Sequence, residues 1–149
     1  MLKKVWVFMI SLVLVFSLVP RSHASGMGEN HYTNKINIRY SIQDHKYIDL
    51  YNSEISNLDN NQIKIKVKTV TSSKVETIKM DVYLEKWNGS SWIQISSWDG
   101  SKSNTNSFEK IIYYSGTANS KYRVKTTHTV NHNGYTESGT SVSSSIIIR

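Results

Sequence analysis

The sequence predicts an all-β protein with one antiparallel β-sandwich of about seven strands, following a cleaved signal peptide. Segments in which apolar and polar residues alternate, as in half-buried strands, recur at the spacing of about 8–12 residues that is typical of sandwiches. Beyond residue 24, no segment has the sustained 3.6-residue apolar period of a helix. Ser, Thr and Asn make up 44 of the last 125 residues, a composition that suits turns and strands better than helices.

The length and the cysteine content limit the classes of protein to consider. A chain of 149 residues is enough for one globular domain and hardly for two. It contains no cysteine, which excludes a disulfide scaffold, thiolate catalysis and cysteine-ligated zinc or iron–sulfur sites. The stability of the fold therefore has to come from an ordinary hydrophobic core.

The first 24 residues have the organisation of a signal peptide. Lys3 and Lys4 are followed by an apolar run of 15 residues, 5–19, and Ser22-His23-Ala24 matches a small-x-small cleavage site. The run is shorter than the roughly 20 apolar residues that a membrane-spanning helix needs. We therefore expect cleavage after Ala24 and a secreted, extracellular protein. The alternative is a retained N-terminal anchor.

The rest of the chain divides into an arm and a domain. Residues 25–46 are polar and weakly patterned, and we interpret them as a flexible arm with room for one short strand at residues 36–42; the sandwich domain then covers residues 47–149. Cleavage removes three basic residues and no acidic one, so 15 basic and 11 acidic side chains remain, a net charge of +4 instead of +7. A charge this modest, spread along strands, does not support nucleic-acid binding.

Alternation along the domain identifies the side chains that should form the core. The predicted core-facing rows are Ile63, Ile65 and Val67; Ile78, Met80, Val82 and Leu84; Ile93 and Ile95; and Tyr122, Val124, Thr126, His128 and Val130. The residues between the members of the first and last rows are mostly Lys and Arg, which we expect to face water.

Asn-Gly pairs predict two tight turns, because both residues tolerate positive φ. One turn lies at residues 88–91 between two alternating segments, and the other lies at residues 131–134. Whether the loop at the first turn has two or four residues, the same side chains of the two strands share a face. Either loop places the row of Val82 and Leu84 on the same face as Ile93 and Ile95.

An aromatic cluster on the opposite face of this hairpin is the candidate binding site. It consists of Tyr83, Trp87, Trp92 and Trp98. Polar neighbours such as Glu85 indicate that this face is in contact with water. Flat rings on a rigid, exposed sheet suit stacking on sugars or burial of a partner's apolar surface. The alternative is that a bulge near the turn rotates one or two rings into the core, or that the N-terminal arm covers them.

Few residues have catalytic or metal-binding potential. The candidates are His45, His128, His132 and Glu137. No pair of them has a recognisable ligand spacing, and the motifs of zinc proteases, phosphate-binding loops and serine hydrolases are missing. We expect His128 to be a hydrogen-bonded, partly buried residue, and we expect no cofactor, no metal and no catalysis. A hydrolase with an unrecognised carboxylate pair remains a weaker alternative.

The last part of the chain resembles known sandwich domains. Tyr122-Arg-Val-Lys-Thr-Thr-His, followed by Asn-His-Asn-Gly-Tyr-Thr-Glu-Ser, is similar to the penultimate and last strands of immunoglobulin-like and fibronectin type III-like domains. In those folds a tyrosine two residues before a core position anchors a corner, as Tyr122 stands before Val124. The resemblance implies an immunoglobulin-like sandwich and implies no particular function.

Residues 47–149 also resemble an uncharacterised family of small secreted proteins from Gram-positive bacteria. The shared features are a signal peptide, a Trp-x-x-Ile-x-x-Trp segment that begins at Trp92, a Tyr-Arg-Val-Lys strand and a Ser-rich C-terminal strand. This resemblance implies a secreted location and, again, no activity.

Together these observations favour a secreted, noncatalytic binding module. We expect its aromatic strand face to recognise an extracellular polysaccharide or another polymer of the cell envelope. The alternative is a small secreted effector or inhibitor that uses the same surface on another protein. Beyond residue 24 the chain has no long amphipathic or apolar segment, which counts against membrane insertion.

Overall fold

The computed structural model describes residues 45–149, which form an antiparallel β-sheet protein. The predicted signal peptide and all but the last two residues of the predicted arm lie outside this range. Within the range there are six strands and no helix. The strands are β1 (Ile48–Asn57), β2 (Gln62–Trp87), β3 (Trp92–Ser115), β4 (Lys121–His132), β5 (Tyr135–Val142) and β6 (Ile146–Ile147). The all-β prediction is confirmed.

The structure has six strands in place of about seven predicted, and two of the six are very long. β2 has 26 residues and β3 has 24, and each joins two segments that the sequence predicts as separate strands. The pairing of β2 with β3 is irregular between Val70 and Val75, near the middle of β2. Such an irregularity bends a strand and increases its twist. The sheet therefore curls at this point instead of breaking into shorter strands.

The curled sheet has two parts that share β2 and β3. The first half of β2 pairs with β1 and with the second half of β3. The second half of β2 pairs with the first half of β3 and with β4, and β4 in turn pairs with β5 and β6. Side chains of β1 contact β4 and β5 across the interior. Apolar rows from both parts therefore face each other in one core.

Most of the predicted core rows are buried. Ile63, Ile65 and Val67, the row from Ile78 to Leu84, and the row from Tyr122 to Val130 are all at most 1% exposed. Ile93 and Ile95, on the first part of β3, are the exceptions. Period-2 alternation identifies these rows correctly because a strand projects successive side chains to opposite faces of its sheet.

Both predicted hairpin turns are present. Trp87 pairs with Trp92 across residues 88–91, and Gly89 has a φ of +104°. His132 pairs with Tyr135 across Asn133 and Gly134, whose φ values are +49° and +71°. Two successive positive φ values are the requirement of the tight turn that Asn-Gly favours.

The tyrosine at the start of β4 holds the preceding loop. Tyr122 is 1% exposed, and its phenolic oxygen accepts a hydrogen bond of 2.9 Å from the backbone N–H of Thr117. This contact links the loop between β3 and β4 to the core five residues further along the chain.

Gly139 on β5 is required by a close approach to β1. A Cβ atom at this position would lie 2.6 Å from Tyr51 Cζ and 2.9 Å from Tyr51 Oη. The Tyr51 ring is buried, with its centroid 5.2 Å from that of His128 and 5.6 Å from that of His45. Since the ring is packed between these two histidines, it has little room to move aside.

We therefore expect Gly139→Ala to lower the free energy of unfolding by about 1–3 kcal/mol, the usual cost of overpacking. Urea denaturation measures this change. Ser138→Ala, at the exposed neighbouring position on β5, is the matched control and should change stability by less than about 0.5 kcal/mol. Equal stability of Gly139→Ala and the wild type would show that the Tyr51 ring moves freely.

Candidate functional site

Three of the four predicted site residues share the outer face of the second half of β2 and its neighbours. Tyr83 and Trp87 lie on β2 at positions that alternate with the buried Val82 and Leu84. Trp92 lies on β3 directly opposite Trp87. All three side chains are partly exposed. The structure therefore brings Tyr83, Trp87 and Trp92 to one water-facing surface, as the sequence predicts.

Trp98 lies on the core-facing side of the sheet, so the prediction that it shares a face with Tyr83, Trp87 and Trp92 is wrong. It pairs with Val82 on the core side, and it packs against the buried core and edge-to-face against Tyr114, with ring centroids 6.1 Å apart. The cause is a bulge in β3: Ser96 pairs with Leu84, whereas Gln94 pairs with Glu85, so Ile95 is an extra residue. One extra residue reverses the parity of every side chain beyond it.

Two isoleucines that the sequence predicts in the core are exposed, each for its own reason. Ile93 is 48% exposed and Ile95 is 37% exposed, although both were expected in the core. Ile95 occupies the bulge itself, and Ile93 lies opposite Lys86 near the end of the hairpin. In the described part of the chain, β3 pairs only with β2, so no further strand covers these two side chains from the other side.

The hairpin turn fixes the position of the two outer tryptophans. Asn88 Oδ1 accepts hydrogen bonds from the backbone N–H groups of Ser90 at 2.9 Å and Ser91 at 2.8 Å. The backbone N–H of Asn88 also donates to the carbonyl of Ser91 at 3.1 Å. These bonds close a compact loop. Trp87 and Trp92, on either side of it, face each other with ring centroids 5.4 Å apart and an interplanar angle of 59°.

Two basic side chains from β4 lie close to the Trp92 ring. The Arg123 Cζ atom lies 4.4 Å from the centroid of the Trp92 ring, and Lys121 Nζ lies 5.9 Å from the same centroid. Both distances are within the range of cation–π attraction. Arg123 Nε also donates a 2.6 Å hydrogen bond to Glu85 Oε2. We call Tyr83, Trp87, Trp92, Arg123 and Lys121 the aromatic–basic site.

The structure does not assemble a metal site from the predicted candidates. Within residues 45–149, no group of three His, Cys, Asp or Glu side chains is placed to hold a metal ion. The His45 ring packs against Tyr51, and the His132 ring packs against Tyr47 with centroids 5.0 Å apart. These two histidines therefore pack against different tyrosines near the start of β1.

His128 is the centre of a buried chain of hydrogen bonds. Its Nδ1 lies 2.8 Å from Thr69 Oγ1, and its Nε2 lies 2.7 Å from Ser141 Oγ. Ser141 Oγ is in turn 2.7 Å from Ser53 Oγ, which donates to Thr126 Oγ1. The chain links β2, β4, β5 and β1. His128 is hydrogen-bonded as predicted, and it is fully buried where the prediction is partial burial.

The contact between Ser141 and His128 has the geometry of a nucleophile and its base, but it is enclosed. His128 is 0% exposed and Ser141 is 7% exposed. A nucleophilic hydroxyl needs open space in which a reacting carbon can approach it. Burial also disfavours the charged imidazolium and lowers the pKa of His128 to about 4. The neutral ring therefore serves as an internal hydrogen-bonding group.

Glu137 has a structural role that sequence reasoning missed. Its carboxylate, 8% exposed, accepts three backbone hydrogen bonds, from Lys46 at 2.8 Å, Tyr47 at 2.9 Å and Ile48 at 2.6 Å. The start of β1 is thereby fixed to β5, and Lys46 of the predicted flexible arm is fixed with it. The signal in the sequence is that Glu137, a charged residue, alternates with Gly139 and Ser141 in the row of β5 that faces inward.

Comparison of the chain with protein-family models, with curated proteins and with solved structures found no match. In the part of the chain that the structure describes, we find no helix with the length and apolar character needed to cross a membrane.

Proposed function

We propose that the protein is a secreted, noncatalytic binding module that recognises an extracellular polysaccharide through the aromatic–basic site. The observation that carries this function is the pair of partly exposed tryptophans, Trp87 and Trp92, held at 5.4 Å on the outer face of a paired hairpin. Exposing two large aromatic rings to water is unfavourable unless a partner covers them. A rigid pair of rings loses little conformational entropy when it binds.

The proposed fold of this module is an immunoglobulin-like sandwich. Three strand segments, β1 with halves of β2 and β3, would form one layer, and four segments, the other halves with β4 and β5, would form the second. The hydrogen bond from Thr117 to Tyr122, at the start of β4, supports this assignment, because such domains anchor the same corner with a tyrosine.

The proposed location outside the cell rests on the pattern of the first 24 residues, which the structure does not describe. Membership of a family of small secreted proteins from Gram-positive bacteria stays a prediction from the motifs that begin at Trp92 and Tyr122. The absence of catalysis is part of the same proposal. Its support is the enclosure of His128 and Ser141, the Ser–His contact that most resembles catalytic machinery among the described residues.

A second candidate function is that of an effector or inhibitor that binds another protein. Ile93 and Ile95, at 48% and 37% exposure, lie on the same hairpin as the two tryptophans. Trp, Tyr and Arg are the residues that contribute most to the centres of protein–protein interfaces. Because Ile93 and Trp92 project from opposite faces of the hairpin, a protein partner would cover both by reaching around the edge of β3 that lies away from β2.

The test is co-sedimentation of residues 25–149 with insoluble peptidoglycan, chitin and cellulose. We expect the protein to pellet with at least one polymer, and we expect Trp87→Ala/Trp92→Ala to lose about tenfold or more in affinity, because the two rings supply the contact area. Circular dichroism should show that the double variant remains folded, since both rings lie on the outer face of the sheet.

Tyr113→Ala is the matched control, because Tyr113 is a 59% exposed ring on β3 far from the hairpin. It should bind as the wild type does. A folded double variant that pellets as well as the wild type would show that the polysaccharide site lies elsewhere. Failure of the wild type to pellet with any polymer would favour a protein partner.

A further inference from the structure

We infer that the aromatic–basic site prefers a polysaccharide that carries carboxylate groups over a neutral one. This inference rests on the proposed binding function and specifies the chemical class of the ligand. Three features of the site carry it: the position of Arg123 on Trp92, the unused donors of Arg123, and the charges along β4.

Arg123 occupies part of the surface that a neutral sugar would use. Stacking of a sugar on tryptophan requires an open ring face. The Arg123 Cζ atom lies 4.4 Å from the centroid of Trp92, and the ring of Trp87 leans against Trp92 at 59°. Trp92 therefore presents a ring with a guanidinium group close to its centre. A ligand that meets this surface contacts the cation together with the aromatic ring.

The guanidinium group is oriented and still has donors to offer. Arg123 Nε donates to Glu85 Oε2 at 2.6 Å, and its Cζ atom lies 4.4 Å from the centroid of Trp92, so two contacts restrict the group. Within residues 45–149, the two Nη atoms make no hydrogen bond. Two adjacent nitrogens of a planar guanidinium match the two oxygens of a carboxylate. Because both contacts restrict the side chain before binding, less entropy is lost when a carboxylate is bound.

The charges on β4 suit a polymer with repeated acidic groups. Lys121, Arg123 and Lys125 project from the same face of β4 at every second residue, about 7 Å apart. Glu85 is the acidic side chain that pairs with this row, so the row keeps a positive excess. Such a row attracts successive carboxylates along a chain, and this attraction weakens as salt screens it.

The experiment compares polymers that share a backbone and differ in charge. Polygalacturonate and hyaluronate are each titrated into the full chain, produced in an exporting host, alongside the methyl ester of the same polymer. Calorimetry measures the affinities. We expect at least one acid form to bind about tenfold or more tightly than its ester, because the ester cannot form a charge-assisted hydrogen bond with Arg123.

Variants assign this preference to the site. Arg123→Gln should reduce the difference between acid and ester to less than about threefold. Lys79→Gln is the control: it removes an equal charge from the same face of the sheet, on β2 and roughly 20 Å from Glu85, and should leave the difference unchanged. If Arg123→Gln fails to fold because Glu85 is left without its partner, Glu85→Gln/Arg123→Gln removes both charges and replaces it in the comparison.

Two results would overturn this inference alone. Equal affinity for an acid polymer and its ester would leave polysaccharide binding intact and remove the role of charge. Binding of neutral chitin or cellulose, with no binding of either acid polymer, would show that the site selects neutral sugars. Failure of every polymer, acidic and neutral, would instead overturn the proposed function together with this inference.

Discussion

Glu137→Ala should lower the free energy of unfolding by about 3 kcal/mol or more. The carboxylate accepts hydrogen bonds from three consecutive backbone N–H groups, those of Lys46, Tyr47 and Ile48, at 2.6–2.9 Å. Hydrogen bonds to a charged group contribute about 1.5–3 kcal/mol each, and buried donors left without a partner add a desolvation cost. Alanine would leave all three donors without that acceptor at a site that is 8% exposed.

Urea denaturation measures the loss, and hydrogen exchange locates it. We expect the amides of residues 46–48 to exchange faster in Glu137→Ala, because the start of β1 is no longer fixed to β5. Glu109→Ala is the control, since Glu109 forms an exposed ion pair with Lys66 at 3.5 Å, a type worth less than about 1 kcal/mol. A loss of under about 1 kcal/mol with unchanged protection of residues 46–48 would contradict this role of Glu137.

The second large effect is a loss of stability on acidification. Burial lowers the pKa of His128 to about 4 in the folded protein, against 6.5 in an unfolded chain. As the pH falls below about 6.5, the unfolded state takes up this proton before the folded state does. The contribution of neutral His128 is therefore fully present above that pH, and it is lost progressively down to about pH 4.

The size of this effect follows from the shift in pKa. We expect a loss of about 3 kcal/mol between pH 7 and pH 4 from His128 alone, because each unit of pKa shift corresponds to about 1.4 kcal/mol. Urea titrations at a series of pH values measure it. His128→Gln should remove this part of the pH dependence, and His132→Gln, on the same strand, is the control. A His128→Gln variant with the wild-type slope would show that other groups cause the loss.

Much of the fold could be predicted from the sequence, since most of its strands alternate without interruption. Ile63, Ile65 and Val67 are buried because the strand repeat of two residues is maintained from one turn signal to the next. The fusion of predicted strands into β2 and β3 was not predictable. A polar stretch such as residues 71–74 has the composition of a loop, yet β2 continues through it although its pairing with β3 is interrupted between Val70 and Val75.

The candidate site was predicted in part, and the one misplaced residue and the one missed residue each have a physical cause. Tyr83, Trp87 and Trp92 lie on the outer face as expected, whereas the bulge at Ile95 moves Trp98 to the core side. A bulge depends on how two strands pair, and the sequence of one strand does not specify it. Arg123 reaches Trp92 from β4, and sequence spacing cannot reveal this contact because the two residues meet only through the pairing of distant strands.

The measurement that most directly tests the binding site is a heteronuclear NMR titration that follows the tryptophan indole N–H signals. Of the four tryptophans, Trp6 lies in the predicted signal peptide, and the others are Trp87, Trp92 and Trp98. With soluble fragments of the polymer that binds, we expect the Trp87 and Trp92 signals to shift while that of Trp98, on the core side, stays in place. A shift of Trp98 with no change at Trp87 and Trp92 would contradict the assignment of the outer face as the binding surface.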